Sequence, residues 1–273
     1  MKKQILTIGL ACLAALSLAA CGSKNSADKE AEDRTYTVGV ASEQERREWE
    51  LVAENVKDEG ITLKVKEFTD YTQENPATVD GSLDLNAFQT KVYLDEWNKT
   101  NDENLVSIGW TYISPLGLYS ETVTDYKDIK DGDIIGIPND VTNGGRAISL
   151  LASAGYITLK EDAGDIPALT DIETYNIKIE IETLEASQIA AALPDLTAAV
   201  INTNFVTSQL QKTADDAIFV DTDHASKLGD SFKNIVVVTE ENKDKEDFKI
   251  LVEAYQTEEV EAIINESGDA AAW

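Results

Sequence analysis

From residue 35 to the C-terminus, stretches in which apolar and polar positions alternate are interleaved with stretches in which apolar positions recur every three to four residues. Residues 35–41, TYTVGVA, alternate with a period of two and predict a strand. Residues 43–57 set Trp49, Val52, Ala53 and Val56 on one stripe and predict a helix. Residues 61–68 predict a second strand. Residues 79–88 read as a helix end and a short strand, 94–100 as helix and 105–113 as strand. A second series follows: strand 133–140, helix 143–154, strand 176–184, helix 186–193, and short strands 197–202 and 217–221. Residues 234–239 form the last predicted strand, before two helices within 243–265. Such alternation predicts an α/β fold with largely parallel sheets. A body of this length predicts two lobes.

In open α/β sheets, ligands gather beyond the carboxyl ends of strands. Three such ends carry polar residues. Strand 61–68 runs into Thr69, Asp70 and Tyr71. Strand 133–140 leads to Asn143 and Arg146. Strand 197–202 ends on Asn202, with Asn204 and Phe205 just beyond. The second of these poses a question. Asn143 reads as the N-cap of helix 143–154, Gly144 and Gly145 leave the backbone bare, and Arg146 follows. A helix N-terminus favours an anion, so a cation there predicts an anionic group seated against the amides and the guanidinium together.

The N-terminal segment breaks the pattern. Lys2 and Lys3 precede an apolar run, residues 5–16, too short to span a bilayer as a stable helix. Small residues then lead to Cys21, as in a secretory leader. The run Leu18-Ala19-Ala20-Cys21 resembles a bacterial lipobox, which implies a leader at 1–20 and lipidation of Cys21. The chain has two cysteines, and Cys12 lies within the leader, so the mature chain has no partner for Cys21 in an intrachain disulfide. Diacylation fits stable anchoring, because a single acyl chain binds membranes only marginally. Residues 22–34 are small, polar and charged and read as a flexible tether.

Charge narrows the function. Against 51 acids stand 23 Lys and Arg, a net charge of −28. That excludes nucleic-acid binding and docking on anionic headgroups through the protein surface. The single methionine is Met1, so the mature chain lacks methionine.

No catalytic pattern is present. The one histidine, His224, is isolated in a polar loop. Zinc spacing, a phosphate-binding glycine loop and a nucleophile elbow are all missing, and Asp221-Thr222-Asp223 is too little for a calcium loop. The expectation is no enzyme, no metal and no cofactor. What remains is recognition chemistry. Arg146 suits a carboxylate, Asn202 and Asn234 suit the donors and acceptors of a zwitterion, and Tyr71, Phe88 and Tyr93 suit an apolar wall that contacts a soft side chain. Taken singly, each aromatic is explained as well by core packing and each asparagine by turn formation.

In order along the chain stand DYTQEN (70–75), DGSLDLNAFQ (80–89), SPLGLYS (114–120), IPNDVTNGGRAISLL (137–151), AAVINTNF (198–205), NIVVV (234–238) and VEAYQTEEVEAII (252–264). With these the chain resembles the NlpA-type lipoproteins, methionine-binding proteins of methionine ABC importers. The resemblance implies a two-lobed periplasmic-binding-protein fold, each lobe a mixed sheet flanked by helices with the ligand cleft between. It implies crossovers near Leu118 and Phe232, so that 35–117 and 232–273 form one lobe and 118–231 the other. It implies that Arg146 binds the α-carboxylate of an amino acid, with Asn143, Asn202, Asn234 and Tyr71 around it. Where the family commonly has Phe-Gln-His followed by a tyrosine, this chain has Phe88, Gln89, Thr90 and, three residues on, Tyr93. Thr90 in the histidine's place leaves the ligand class firmer than its identity.

The leading expectation is a lipoprotein on the outer side of the bacterial cell membrane. It would capture L-methionine, D-methionine or a derivative and deliver it to an ABC permease. Another amino acid or a short peptide is an alternative ligand. A surface adhesin with a vestigial pocket is the alternative of another class, and an exported hydrolase a more distant one.

Overall fold

A computed structural model of the chain describes residues 34–221 and 229–273. The leader, Cys12, Cys21, the tether up to residue 33 and His224 lie outside the described residues. Arg34, counted with the tether on sequence, belongs to the body. Its carbonyl accepts from the Thr62 amide at 2.9 Å, and its guanidinium pairs with Asp247.

Two mixed sheets make up the body. Strands β1 (Thr35–Val40), β2 (Thr62–Glu67) and β3 (Leu85–Thr90) run parallel in the first. Strand β4 (Val106–Ile113) belongs to the same sheet. Strand β12 (Lys233–Val238) returns antiparallel between β3 and β4, and β13 (Ala270–Ala271) closes the edge. The order across this sheet is β13-β4-β12-β3-β1-β2. In the second sheet, β6 (Ile134–Pro138), β9 (Glu180–Leu184) and β10 (Ala198–Ile201) are parallel, while β5 (Gly117–Tyr119) and β11 (Phe219–Val220) pair antiparallel. Its order is β11-β5-β10-β6-β9. Strands β7 (Ile157–Leu159) and β8 (Ile172–Tyr175) form a separate antiparallel pair. The sheets are therefore less parallel than the alternation predicts. The antiparallel members are short, as β5, β11 and β13 are, or reach the sheet from far along the chain, as β12 does. Periodicity can mark a strand and never its direction, so neither kind is legible as antiparallel.

Helix α1 (Glu43–Asn55) begins where Ser42 accepts from the Glu45 amide, and Glu45 reaches back to the Ala41 amide at 2.7 Å. Its Trp49 and Val52 pack with Val38, Val40 and Val236 of the first sheet and with Phe248, Leu251 and Tyr255 of the helix Glu246–Tyr255. Helix α2 (Glu74–Val79) and helix α3 (Lys91–Asn101) flank β3. In the second sheet, Leu118, Ile135, Ile137 and Val200 bury against Ala147, Leu150 and Leu151 of helix α4 (Val141–Ser153). Helix α5 (Ala186–Ala192) precedes β10.

Helix α4 starts two residues earlier than predicted. Its N-cap is Asp140, whose carboxylate accepts from the Asn143 amide at 2.8 Å. Asn143 thus sits in the first turn, and Arg146 lies beyond it, further from the positive end of the helix than the sequence reading places it. Gly144 and Gly145 serve close packing. A Cβ on Gly144 would stand 2.7 Å from the Pro138 carbonyl oxygen, and one on Gly145 would stand 2.4 Å from the Ile166 side chain.

Candidate functional site

Strand β4 leaves the first sheet at Ile113 and β5 enters the second at Gly117, so the chain crosses through Ser114, Pro115 and Leu116. It returns between Val220 and Lys233. Beside the first crossing lies a cavity. The carboxyl ends of β3, β4 and β10, the start of antiparallel β12 and the first turns of α4 all reach it.

All eight residues singled out on sequence line this cavity: Arg146, Asn143, Asn202 and Asn234 on its polar side, and Tyr71, Phe88, Thr90 and Tyr93 on the other. Gln89, Tyr112 and Asn204 line it as well. Among the described lining residues, Arg146 is the only basic or acidic side chain.

The aromatic wall is one packed group. Tyr71 stacks on Phe88 with ring centroids 5.7 Å apart and lies 4.9 Å from Phe205, across the cleft. Tyr93 meets Phe88 edge-on at 6.0 Å. Tyr71 Oη donates to Asn204 Oδ1 at 2.5 Å, joining the loop after β2 to the segment after β10. Burial drives the Tyr71 hydroxyl well above its ordinary pKa. Behind the wall, Gln89 is held by a buried amide net. It accepts from Asn75 Nδ2 at 2.9 Å and donates to Asn75 Oδ1 at 2.6 Å and Asn86 Oδ1 at 2.8 Å. Asn75 of the DYTQEN motif thus supports the site from below.

Thr90, besides lining the cavity, has a local structural role. Its Oγ1 accepts from the Tyr93 amide at 3.3 Å and caps α3, whose first turn carries Tyr93 into the wall. The opposite strand places Asn234 beside it in register, and Asn234 Nδ2 donates to the Tyr112 carbonyl at 3.2 Å.

Arg146 is 4% exposed and already has an anion. Its Nε donates to Asp221 Oδ2 at 2.6 Å and its Nη2 to Asp221 Oδ1 at 3.2 Å, with a further bond from Nη2 to the Ser114 carbonyl at 2.6 Å. The Leu116 amide donates to the same carboxylate at 2.8 Å. The anion expected on sequence is therefore, along the Nε edge, a side chain of the protein itself. Nη1 has no hydrogen bond to any described residue. The guanidinium carbon lies 5.3 Å from the Phe232 ring centroid, so the face is covered as well. On sequence, Asp221 figures only in a rejected calcium pattern. Its pairing with Arg146 spans 75 positions and leaves no local signal.

Asn202 Nδ2 donates to Asn143 Oδ1 at 2.9 Å, and Asn143 Nδ2 donates to both oxygens of Asp140. Asn202 Oδ1 is shielded from solvent and has no hydrogen-bond partner among the described residues. A buried acceptor left in this way is costly, and a donor from a bound molecule would satisfy it.

A cavity of this lining, between two mixed sheets, suits a small polar molecule with one apolar end. The sequence similarity agrees with that fold. The family model described as NlpA lipoprotein matches residues 36–272. The chain belongs to the NlpA lipoprotein family. A Salmonella typhimurium relative named D-methionine-binding lipoprotein MetQ is 35% identical over 253 residues, covering 92% of this chain and 90% of its own. The substrate binding protein of a methionine transporter from Streptococcus pneumoniae is 36% identical with a TM-score of 0.80, covering 88% of this chain and 96% of that one. A nutrient binding protein from Burkholderia cenocepacia, solved bound to methionine, is 36% identical with a TM-score of 0.79, covering 87% of this chain and 100% of that one. This NlpA-family chain has the two-lobed fold of those binding proteins. Among the described residues, no helix is long and apolar enough to cross a membrane.

Proposed function

We propose that this NlpA-family protein captures methionine in the cleft and delivers it to an ABC importer, without chemical turnover. One juxtaposition carries the reading. Arg146 and Asn202, whose carbonyl oxygen is buried with no partner among the described residues, line the same cavity as the wall of Tyr71, Phe88 and Tyr93. A cation edge suits a carboxylate, a bare carbonyl suits an ammonium, and aromatic faces suit a thioether. Asn143, Asn234 and Thr90 complete the ligand shell in this proposal. Among the described residues the lining has no carboxylate and no second cation, which favours a side chain without charge.

The lobes in this reading are 35–117 with 232–273, and 118–231, hinged at the two crossings. Closure around the ligand would present a surface to the permease. Lipidated Cys21, after a cleaved leader, would hold the protein at the outer face of the bacterial cell membrane through a diacylglyceryl anchor. The relatives' names, as methionine-binding lipoproteins and transporter subunits, support both parts.

The test is calorimetric titration of the purified protein, first unfolded and refolded to strip carried ligand, with L-methionine, D-methionine and a panel of other amino acids and short peptides. Saturable one-to-one binding of methionine is the expected result. Binding only of another amino acid or a peptide would reassign the ligand. Silence across the panel would overturn the reading.

A further inference from the structure

Two amides and a carboxylate form a line that ends in the cavity, and the chemistry of each fixes the next. Asp140 as a carboxylate accepts and does not donate. Asn143 must therefore turn its NH2 toward it, and does so at 3.2 and 3.1 Å. That leaves Asn143 Oδ1 facing Asn202, which must answer with its own NH2, at 2.9 Å. Asn202 then keeps a second N–H and its carbonyl oxygen, which is buried and has no partner among the described residues. Asp140 is itself held in place as the cap of α4, by the Asn143 amide at 2.8 Å and Thr142 Oγ1 at 3.0 Å.

We infer that Asp140 is a positioning residue for ligand polarity: through Asn143 it locks Asn202 with its carbonyl oxygen toward the ligand, so the cleft demands an ammonium opposite Arg146. The inference rests on the amino-acid reading of the cleft and deepens it. An asparagine free to turn would accept either a donor or an acceptor. One tied to a carboxylate by a relay holds its oxygen in one direction and favours a donor there. The cleft would then reject a carboxylic acid that has the same tail and no amine, because Asn202 Oδ1 would stay unsatisfied in its complex.

The test uses the purified full chain and two probes, L-methionine and its des-amino counterpart 4-(methylthio)butanoate, titrated into the wild type, Asp140→Asn and Asp140→Ser. Both replacements remain good N-caps. In Asp140→Asn the introduced amide keeps its oxygen on the helix, where it still accepts from Asn143 Nδ2, and puts an NH2 in place of the second acceptor, so the lock on both amides of the relay would loosen and Asn202 could turn a donor to the ligand. The expected result is a loss of roughly ten-fold or more in L-methionine affinity, with the des-amino acid held equally or better. Asp140→Ser keeps the cap but leaves Asn143 untied, and an intermediate ratio is expected. Equal losses for both probes would mean general damage to the cleft and would overturn the inference, as would an unchanged ratio. If the wild type prefers another amino acid, the same ratio is read with that amino acid and its des-amino form. A wild type that binds no amino acid overturns both this inference and the reading beneath it.

Discussion

Arg146 and Asp221 face each other in a side-on, two-bond pair, buried where the chain crosses between the sheets. The pair neutralises the one cation of the cavity lining and fixes which edge of the guanidinium remains for a ligand. Removing either partner leaves a buried charge uncompensated, which typically costs about 3–5 kcal/mol. Arg146→Ala and Asp221→Ala are each expected to destabilise the protein by about that much in urea unfolding. The double variant should lose far less than the two single losses added together, because it strands neither charge. Additive losses would mean that the pair does not act as a unit. Arg146→Ala should also lose about 2–5 kcal/mol of ligand affinity, so its binding must be read without urea, at a temperature where the variant is still folded.

Thr90 tests whether a cap or a ligand contact dominates at that position. It ends β3, caps α3 and thereby sets the angle at which Tyr93 enters the aromatic wall. Thr90→Ala is expected to cost about 1 kcal/mol of stability, the usual value of an N-cap, and to weaken methionine binding only a few-fold. Thr90→Ser should restore the stability. Urea melts and calorimetry on the same samples separate the two effects. Unchanged stability with abolished binding would mean that the contact of Thr90 with the ligand outweighs its role as a cap.

Much of this site is legible in the sequence because its parts are local. Strand ends are marked by polar residues after apolar runs, and the aromatic and amide residues so placed do meet. The helix after β6 shows in its apolar stripe, but its start does not. Asp140 and Asn143 are both good caps, and only the fold shows which one turns its side chain to the helix amides. The Arg146 pairing is not legible, since Asp221 reaches it from the other crossing. The mixed character of the sheets is hidden for the same reason. Strand β12 looks like any buried strand, and its antiparallel course depends on where the chain has been in between. The Asp140 relay lies in plain sight within IPNDVTN, yet its direction needs Asn202, 59 positions from Asn143.

Beside the crossing, under Tyr112, lie three carboxyl groups that should make stability fall as pH rises. Glu48 accepts from Tyr255 Oη at 2.6 Å, Glu45 from Tyr112 Oη, and Asp269 from Ser114 Oγ at 2.6 Å. Burial is the chief cause that pushes Asp269 to about 6, Glu45 to about 7 and Glu48 to about 8, and repulsion from neighbouring carboxylates adds to it for Glu45 and Glu48. Glu74, at the start of α2, is pushed by burial to about 9 and acts in the same direction. Each folded value exceeds the ordinary carboxylate range near 4. The folded state therefore holds protons that the unfolded chain has released. Their stabilisation is complete below about pH 4 and is lost as pH climbs through about 6, 7, 8 and 9. Asp70, Asp247 and Glu266 are shifted the other way, so their contribution fades only under more acidic conditions. The melting temperature is expected to be higher at about pH 5 than at about pH 8. Glu48→Gln keeps an acceptor for Tyr255 and removes the titration, so its melting temperature should vary less over that interval and exceed the wild type at the alkaline end. Melts across the interval decide it: curves for the two proteins that run parallel would mean that Glu48 does not titrate in the folded state.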